Sequence, residues 1–264
     1  MADPQLEAAA AFVNREGTAV EKARLRYLMT GEQPGEDVAA PFVTSQKGDG
    51  GWEPYWAPDY TSIDATCYQL AQAEQAGFDR LTPFIVDAVR FLAERQRPDG
   101  SWEEEPREGA NPPFWARPGD PEARLYLTAN AGYWLARTRL VPSGARDAAV
   151  FLASRTIDAG RLPSFSQTHW LAAALWHSQG MTDEATGALD HLIGQIPDMS
   201  AGNLAWLLIA FDGGGIPHDH PVAQAAAERL RGLRLPDGSW QEDEAAGNAV
   251  HVTLEALRAL KLAG

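Results

Sequence analysis

Apolar positions along the chain recur at helical spacing, and their density alternates from segment to segment. Segments 81–96, 143–155, 183–196 and 221–234 carry an apolar stripe on one side and charged or polar residues on the other. That pattern predicts amphipathic helices with one face in solvent. Between them lie segments rich in large apolar groups on nearly all sides. One opens at Asp120-Pro-Glu and carries Leu125, Tyr126, Leu127, Tyr133, Trp134 and Leu135; others span 164–179 and 200–211. A helix apolar all round is buried. Segments 62–76 and 248–262 close the alternation at its two ends, and 37–46 is a short helix before the first of them. Segment 4–30 reads as helix interrupted at Gly17, with Glu21, Lys22, Arg24 and Arg26 as a solvated face. No segment sustains the period-two alternation of a strand.

A short motif joins outer to inner segments. It is sharp in Gln96-Arg-Pro-Asp-Gly-Ser-Trp102 and in Arg234-Leu-Pro-Asp-Gly-Ser-Trp240, and good in Gln46-Lys-Gly-Asp-Gly-Gly-Trp52. Gln195-Ile-Pro-Asp-Met-Ser-Ala201 and Thr156-Ile-Asp-Ala-Gly-Arg-Leu162 are degenerate copies. Recurrence every ~40 to 60 residues marks a repeat architecture. The chemistry is that of a stitch. Gly takes a left-handed turn after a helix, Asp caps nearby amides, Gln ties one helix end to another, and Trp is an apolar plug with one N–H.

This stitch resembles the QW repeat of squalene–hopene cyclases, within the wider group of terpene cyclase and protein prenyltransferase α/α toroids. The resemblance runs from about Gln46 to the C-terminus. It implies an all-α toroid of about five to six helix pairs, inner helices apolar and outer ones amphipathic, in a single domain over 1–264. Residues 1–35 would be a helical element packed on the ring. A repeat of this kind is a structural device and fixes fold before activity.

Superposing the inner segments places Asp64, Thr128, His169, Asn203 and His251 in a polar ring at one mouth of an apolar cavity. Trp56, Tyr68, Trp115, Tyr126, Trp134, Trp170 and Trp206 are candidate walls, and aromatic faces stabilise cations. Ordinary core packing is the competing reading of each. The Asp-x-Asp-Asp-Thr motif of class II terpene cyclases supplies an acid that protonates an alkene or epoxide. Ser62-Ile63-Asp64-Ala65-Thr66 resembles it with the middle acid kept and both flanking acids lost. The resemblance implies that Asp64 is the proton donor, with His251 or His169 as a partner across the ring. Thr61-x-x-Asp64 also reads as a capping box, as do the starts Ser164-x-x-Gln167 and Ser200-x-x-Asn203.

The leading expectation is therefore acid-initiated cyclisation of a linear isoprenoid or similar polyene, with no cofactor. A toroid that only binds a hydrophobic ligand or a partner protein is the alternative. Another is a zinc-dependent prenyltransferase-like or hydrolytic enzyme, with Asp64, Cys67 and His251 as ligands. Magnesium is the remaining metal candidate, but no Asp-Asp-x-x-Asp segment is present. His218-Asp-His220 precedes Pro221 and reads as a helix cap rather than a metal site. The 103–119 stretch, with Asn111-Pro-Pro-Phe-Trp115, is a candidate lid or binding loop, with a Pro-rich packing loop as the competing reading.

Charge and cysteine content narrow the setting. A formal net charge of −14 argues against nucleic acid and anionic membranes as partners. Glu103-Glu104-Glu105 and Glu242-Asp243-Glu244 read as solvated loops. One cysteine excludes an intramolecular disulfide and fits the cytoplasm. No signal peptide and no membrane-spanning stretch is expected.

Overall fold

A computed structural model describes residues 4–158, 160–241 and 249–264. The cluster Glu242-Asp243-Glu244, Asn248 at the expected start of the last helix, and Ala159 within the degenerate third stitch lie outside the described residues. Twelve α-helices are present among the described residues, and no strand. In chain order they are α1 (Pro4–Glu16), α2 (Ala19–Thr30), α3 (Glu36–Ser45), α4 (Ile63–Ala76), α5 (Pro83–Glu94) and α6 (Pro121–Thr138). There follow α7 (Pro142–Ala153), α8 (Ser166–Ser178), α9 (Thr182–Ile193), α10 (Ala201–Gly214), α11 (Pro221–Gly232) and α12 (Ala249–Leu262).

The even-numbered helices pack side by side in a closed cycle: α2 on α4, then α6, α8, α10 and α12, and α12 back on α2. The odd-numbered helices lie outside. The expected alternation of inner and outer helices is therefore present. The N-terminal segment does more than pack on this ring, because α2 stands in it, between α12 and α4. Gly17 separates α1 from α2, and Thr18 starts α2 with a reciprocal capping box to Glu21. Arg24, expected on a solvated face, is only 4% exposed, because α2 turns that side toward the ring.

The three stitches that end in Trp share three interactions, and the two that begin with Gln add a fourth. Asp49, Asp99 and Asp237 accept from the amides of Gly51, Ser101 and Ser239. Gln96 Nε2 donates to Gly100 O and, across to the next outer helix, to Gly144 O; Gln46 does likewise to Gly50 O and Phe84 O. The indoles of Trp52, Trp102 and Trp240 donate back to Phe42 O, Leu92 O and Leu230 O. All three are at most 2% exposed. Finally, the backbone amides of the same tryptophans donate to the hydroxyls of Thr66, Thr128 and Thr253 on the inner helix that follows. In the degenerate stitch before α8, Leu162 N donates to His169 Nε2 instead, at 3.2 Å.

The turn glycine must be glycine for two reasons. At Gly100, φ is +88°, and an added Cβ would lie 2.5 Å from Asp147 O on α7. At Gly238, φ is +89°, and the Cβ would meet the Ala8 backbone at 2.6 Å. The last stitch thus touches α1 as the second touches α7, so the first outer helix receives the end of the repeat.

Candidate active site

The ring encloses a cavity of about 800 Å³. That is within the range of small-molecule sites, roughly 300 to 1,000 Å³. Trp56, Tyr68, Trp115, Tyr126, Trp134 and Trp206 line it as expected. Trp170 does not. It is fully buried behind Trp206, with ring centroids 5.5 Å apart, and belongs to the core.

The polar ring needs a change of register. The stitch amide fixes which residues are equivalent: Thr66, Thr128, His169 and Thr253 all accept it. Two residues before each acceptor comes the position that faces the cavity, which is Asp64, Tyr126, Gln167 and His251. Asn203 joins them on α10 and accepts from Gln167 Nε2 at 3.3 Å. Asp64, Asn203 and His251 are therefore placed as expected, whereas Thr128 and His169 face the stitches. Periodicity could not distinguish a shift of two residues when both positions are polar or aromatic.

His169 is structural. Its Nε2 accepts from Leu162 N, which leaves the proton on Nδ1, 3.0 Å from Phe165 O. Burial lowers its pKa from the usual 6.5 to about 4. A neutral histidine with both nitrogens engaged cannot partner Asp64. His251 lines the cavity, but its neighbours are Glu255 Oε1 at 3.3 Å and Arg24 Nη1 at 3.4 Å. It makes no hydrogen bond to Asp64.

Asp64 has other partners. Trp115 Nε1 donates to its Oδ2 at 3.2 Å, and Tyr126 O–H donates to its Oδ1 at 3.2 Å. Asn130 Nδ2 in turn donates to the Tyr126 oxygen at 3.3 Å. The capping-box reading of Asp64 is overturned. Ser62 is the N-cap of α4 and accepts from Ala65 N, while Thr61 Oγ1 donates to Asp49. The carboxyl is thereby free of the backbone. The analogous box at Ser164 is also absent, since Ser164 pairs with Thr168 and Phe165 is the cap residue. At Ser200 the hydroxyl does accept from Asn203 N.

The residue that takes the Asp64 amide, Glu104, is buried rather than solvated as its acidic cluster suggests. Glu104 is 2% exposed, and its Oε1 accepts from Asp64 N at 3.1 Å and Ser62 Oγ at 2.6 Å. Its Oε2 accepts from Tyr60 O–H at 2.7 Å. Three consecutive glutamates carry no local signal saying which one turns inward; the long-range partners decide it. Glu104 places a second carboxylate at the start of α4. Burial, with Glu104 as a further contribution, raises Asp64 to about 6, against the lowering effect of its Trp115 and Tyr126 hydrogen bonds. Its carboxyl therefore keeps its proton well above the ordinary range of an aspartic acid.

The 103–119 stretch contributes directly. Phe114 and Trp115 line the cavity, and a short 3₁₀ turn, Phe114–Ala116, aims Trp115 at Asp64. Phe114 packs edge-on against Trp115 and Phe165.

Asp64, Cys67 and His251 do not come together, and no cluster of three or more His, Cys, Asp or Glu suited to a metal occurs among the described residues. Burial pushes the Cys67 thiol up, which disfavours the thiolate a zinc ion needs. His220 accepts from Val222 N and caps α11, as its place before Pro221 implies. Among the described residues no helix is long and apolar enough to cross a membrane.

No protein-family model matches the chain, and no curated protein sequence matches it either. Solved structures do. The type II terpene cyclase MstE from Scytonema, in its apo form, superposes with a TM-score of 0.61 at 14% identity, covering 97% of this chain and 96% of that one. A variant of MstE in complex with geranylgeranyl dihydroxybenzoate, its substrate, gives 0.59 at 14% identity, covering 98% and 96%. Another variant, in complex with the product merosterolic acid A, gives 0.61 at 14% identity with the same coverage. The likeness spans both chains almost end to end, so the fold is that of a type II terpene cyclase.

Proposed function

We propose that this protein is a terpene-cyclase-like enzyme that folds a linear isoprenoid or similar polyene in its central cavity and cyclises it by protonation from Asp64. The observation that carries this reading is the state of Asp64. It is a buried carboxyl at the wall of an aromatic cavity, raised to about 6, held by two neutral donors and tied to no cation. The likeness to MstE, which binds a polyprenyl substrate, supports the same substrate class here.

The chemistry follows from these groups. The Asp64 proton passes to the less substituted carbon of the terminal alkene, whose π pair forms the new C–H bond. A tertiary cation results, and each following alkene attacks it in turn. Loss of a proton from the last cation to water ends the sequence, and Asp64 regains a proton from solvent. The N–H of Trp115 and the O–H of Tyr126 stabilise the carboxylate left behind, because both donate to it. The faces of Trp56, Trp134 and Trp206 shield the migrating cation from water. Nothing in this route requires a cofactor. The lone, buried Cys67 suits a reducing cytoplasm.

The test is a product screen with purified protein and its Asp64→Asn variant, given linear isoprenoids of several lengths as alcohols, acids and diphosphates. A cyclic product from the wild type, reduced by about 10² to 10⁴ in rate in an equally folded variant, is the expected result. Product from both proteins at equal rates removes Asp64 from the mechanism. Binding without product from either leaves a toroid that only carries a hydrophobic ligand.

A further inference from the structure

The cavity has a second polar region, away from Asp64, and its hydrogen bonds do not balance. Gln72 lies eight residues beyond Asp64 on α4, about 12 Å along the helix axis. Its Oε1 accepts from Arg24 Nη1 at 2.7 Å, which fixes the amide orientation and turns Nε2 away. That Nε2 is buried and donates to nothing, although Gln72 lines the cavity. Arg24 Nε and Arg258 Nη1 are also buried donors without acceptors.

Most of the acceptors nearby are already engaged. Glu255 Oε1 takes Gln75 Nε2 at 2.9 Å and faces His251 at 3.3 Å. Glu74 spends its two oxygens on Arg137 at 2.6 Å and Arg258 at 2.8 Å. Gln75 Oε1 accepts from Arg24 Nη2. Buried donors left over at a cavity wall are costly unless something accepts from them. The group that completes such a site is an acceptor, and beside a buried arginine it is an anionic one.

We propose that this region, formed by α2, the C-terminal half of α4 and α12, seats the polar head of the substrate, and that the head is a singly charged carboxylate. The proposal rests on the cyclase reading and extends it. An isoprenoid chain has a reactive alkene at one end and its head at the other. With the alkene at Asp64 and the head at Gln72 and Arg24, the chain between them lies along the aromatic wall. One amide at the cavity wall, backed by a single buried arginine, suits a carboxylate; a diphosphate would call for several cations.

Binding is read without turnover, through quenching of the cavity tryptophans at neutral pH. The probes are an all-trans tetraprenyl carboxylic acid, its methyl ester, the matching alcohol and the matching diphosphate. The acid is expected to bind at least about tenfold more tightly than the alcohol or ester, and no more weakly than the diphosphate. Gln72→Met removes the amide, and Gln72→Glu sets a carboxylate against Arg24 that both preserves the fold and repels an anion. Either substitution is expected to shrink the acid–alcohol gap to less than about twofold. Asp64→Asn is expected to leave the gap intact. Equal affinity for acid, ester and alcohol would overturn the head-group site while leaving the cyclase reading standing. So would a gap that survives in both Gln72 variants, or a clear preference for diphosphate. If no probe binds at all, the cyclase reading falls and this site with it.

Discussion

The start of α4 and the start of α8 are built on the same stitch and put a titratable group to opposite uses. In α4 the stitch amide is held by Thr66, and the acid two residues earlier faces the cavity. In α8 a histidine holds the amide, and Gln167 takes the cavity position. Burial favours the neutral form of both Asp64 and His169, but with opposite consequences. Asp64 is left with a proton it can give away. His169 is left with a lone pair that the backbone consumes. Neighbouring positions on one helix turn thus divide between holding the ring and working inside it.

That division can be broken first from the stitch side. Trp102→Ala removes a fully buried indole and its bond to Leu92 O. It is expected to cost about 3 to 5 kcal/mol in urea unfolding. A loss below ~1 kcal/mol would mean that the stitch is ornamental.

The histidine gives the next largest effect. His169 titrates near 6.5 when unfolded and near 4 when folded, so the unfolded chain binds more protons between those values. Its stabilising contribution is present above about pH 6.5 and falls as the pH drops to 4, by up to about 3 kcal/mol. His169→Gln, whose amide oxygen can accept from Leu162 N, is expected to flatten this part of the pH–stability profile. An unchanged profile would show that the histidine is not held neutral.

The acid has the opposite sign. Asp64 is raised from 3.8 to about 6 on folding, so the folded chain binds more protons in that interval and loses stability as the pH rises through it. Asp64→Asn is therefore expected to stabilise the protein above pH 6 by on the order of 2 kcal/mol and to do little at pH 4. Melts at both pH values decide it, and a variant destabilised at both would place Asp64 among the structural groups.

The smallest effect sharpens the site itself. Tyr126→Phe removes one of two donors to the carboxyl, so the pKa of Asp64 rises further. Cyclisation by a general acid follows its protonated fraction and falls as the pH rises. The midpoint of that fall is expected near 6 in the wild type and up to about one unit higher in the variant.

Much of this was legible in the chain because it is local. Helix and turn patterns, the stitch residues and the alternation of buried and amphipathic segments depend on neighbours within a few residues. Asp64, Tyr126 and the cavity tryptophans could be named because the stitch gives each inner helix a common starting point. The register within that starting point could not be named. Whether Thr128 or Tyr126, and His169 or Gln167, faces inward depends on which side chain reaches the amide of a residue in the preceding stitch.

What the sequence by itself determined is the repeat, the helical ring it implies and the one acid that resembles a proton donor. Periodic burial and turn chemistry are encoded within each repeat. The tertiary structure decided the partners. Trp115 and Tyr126 reach Asp64 from 51 and 62 residues away, and Glu104 reaches its amide from 40. Arg24 meets Gln72 and His251 only because α2 closes the ring between α4 and α12. A carboxyl's proton and an unpaired donor's need for an acceptor are set by what surrounds them, and here the surroundings come from distant parts of the chain.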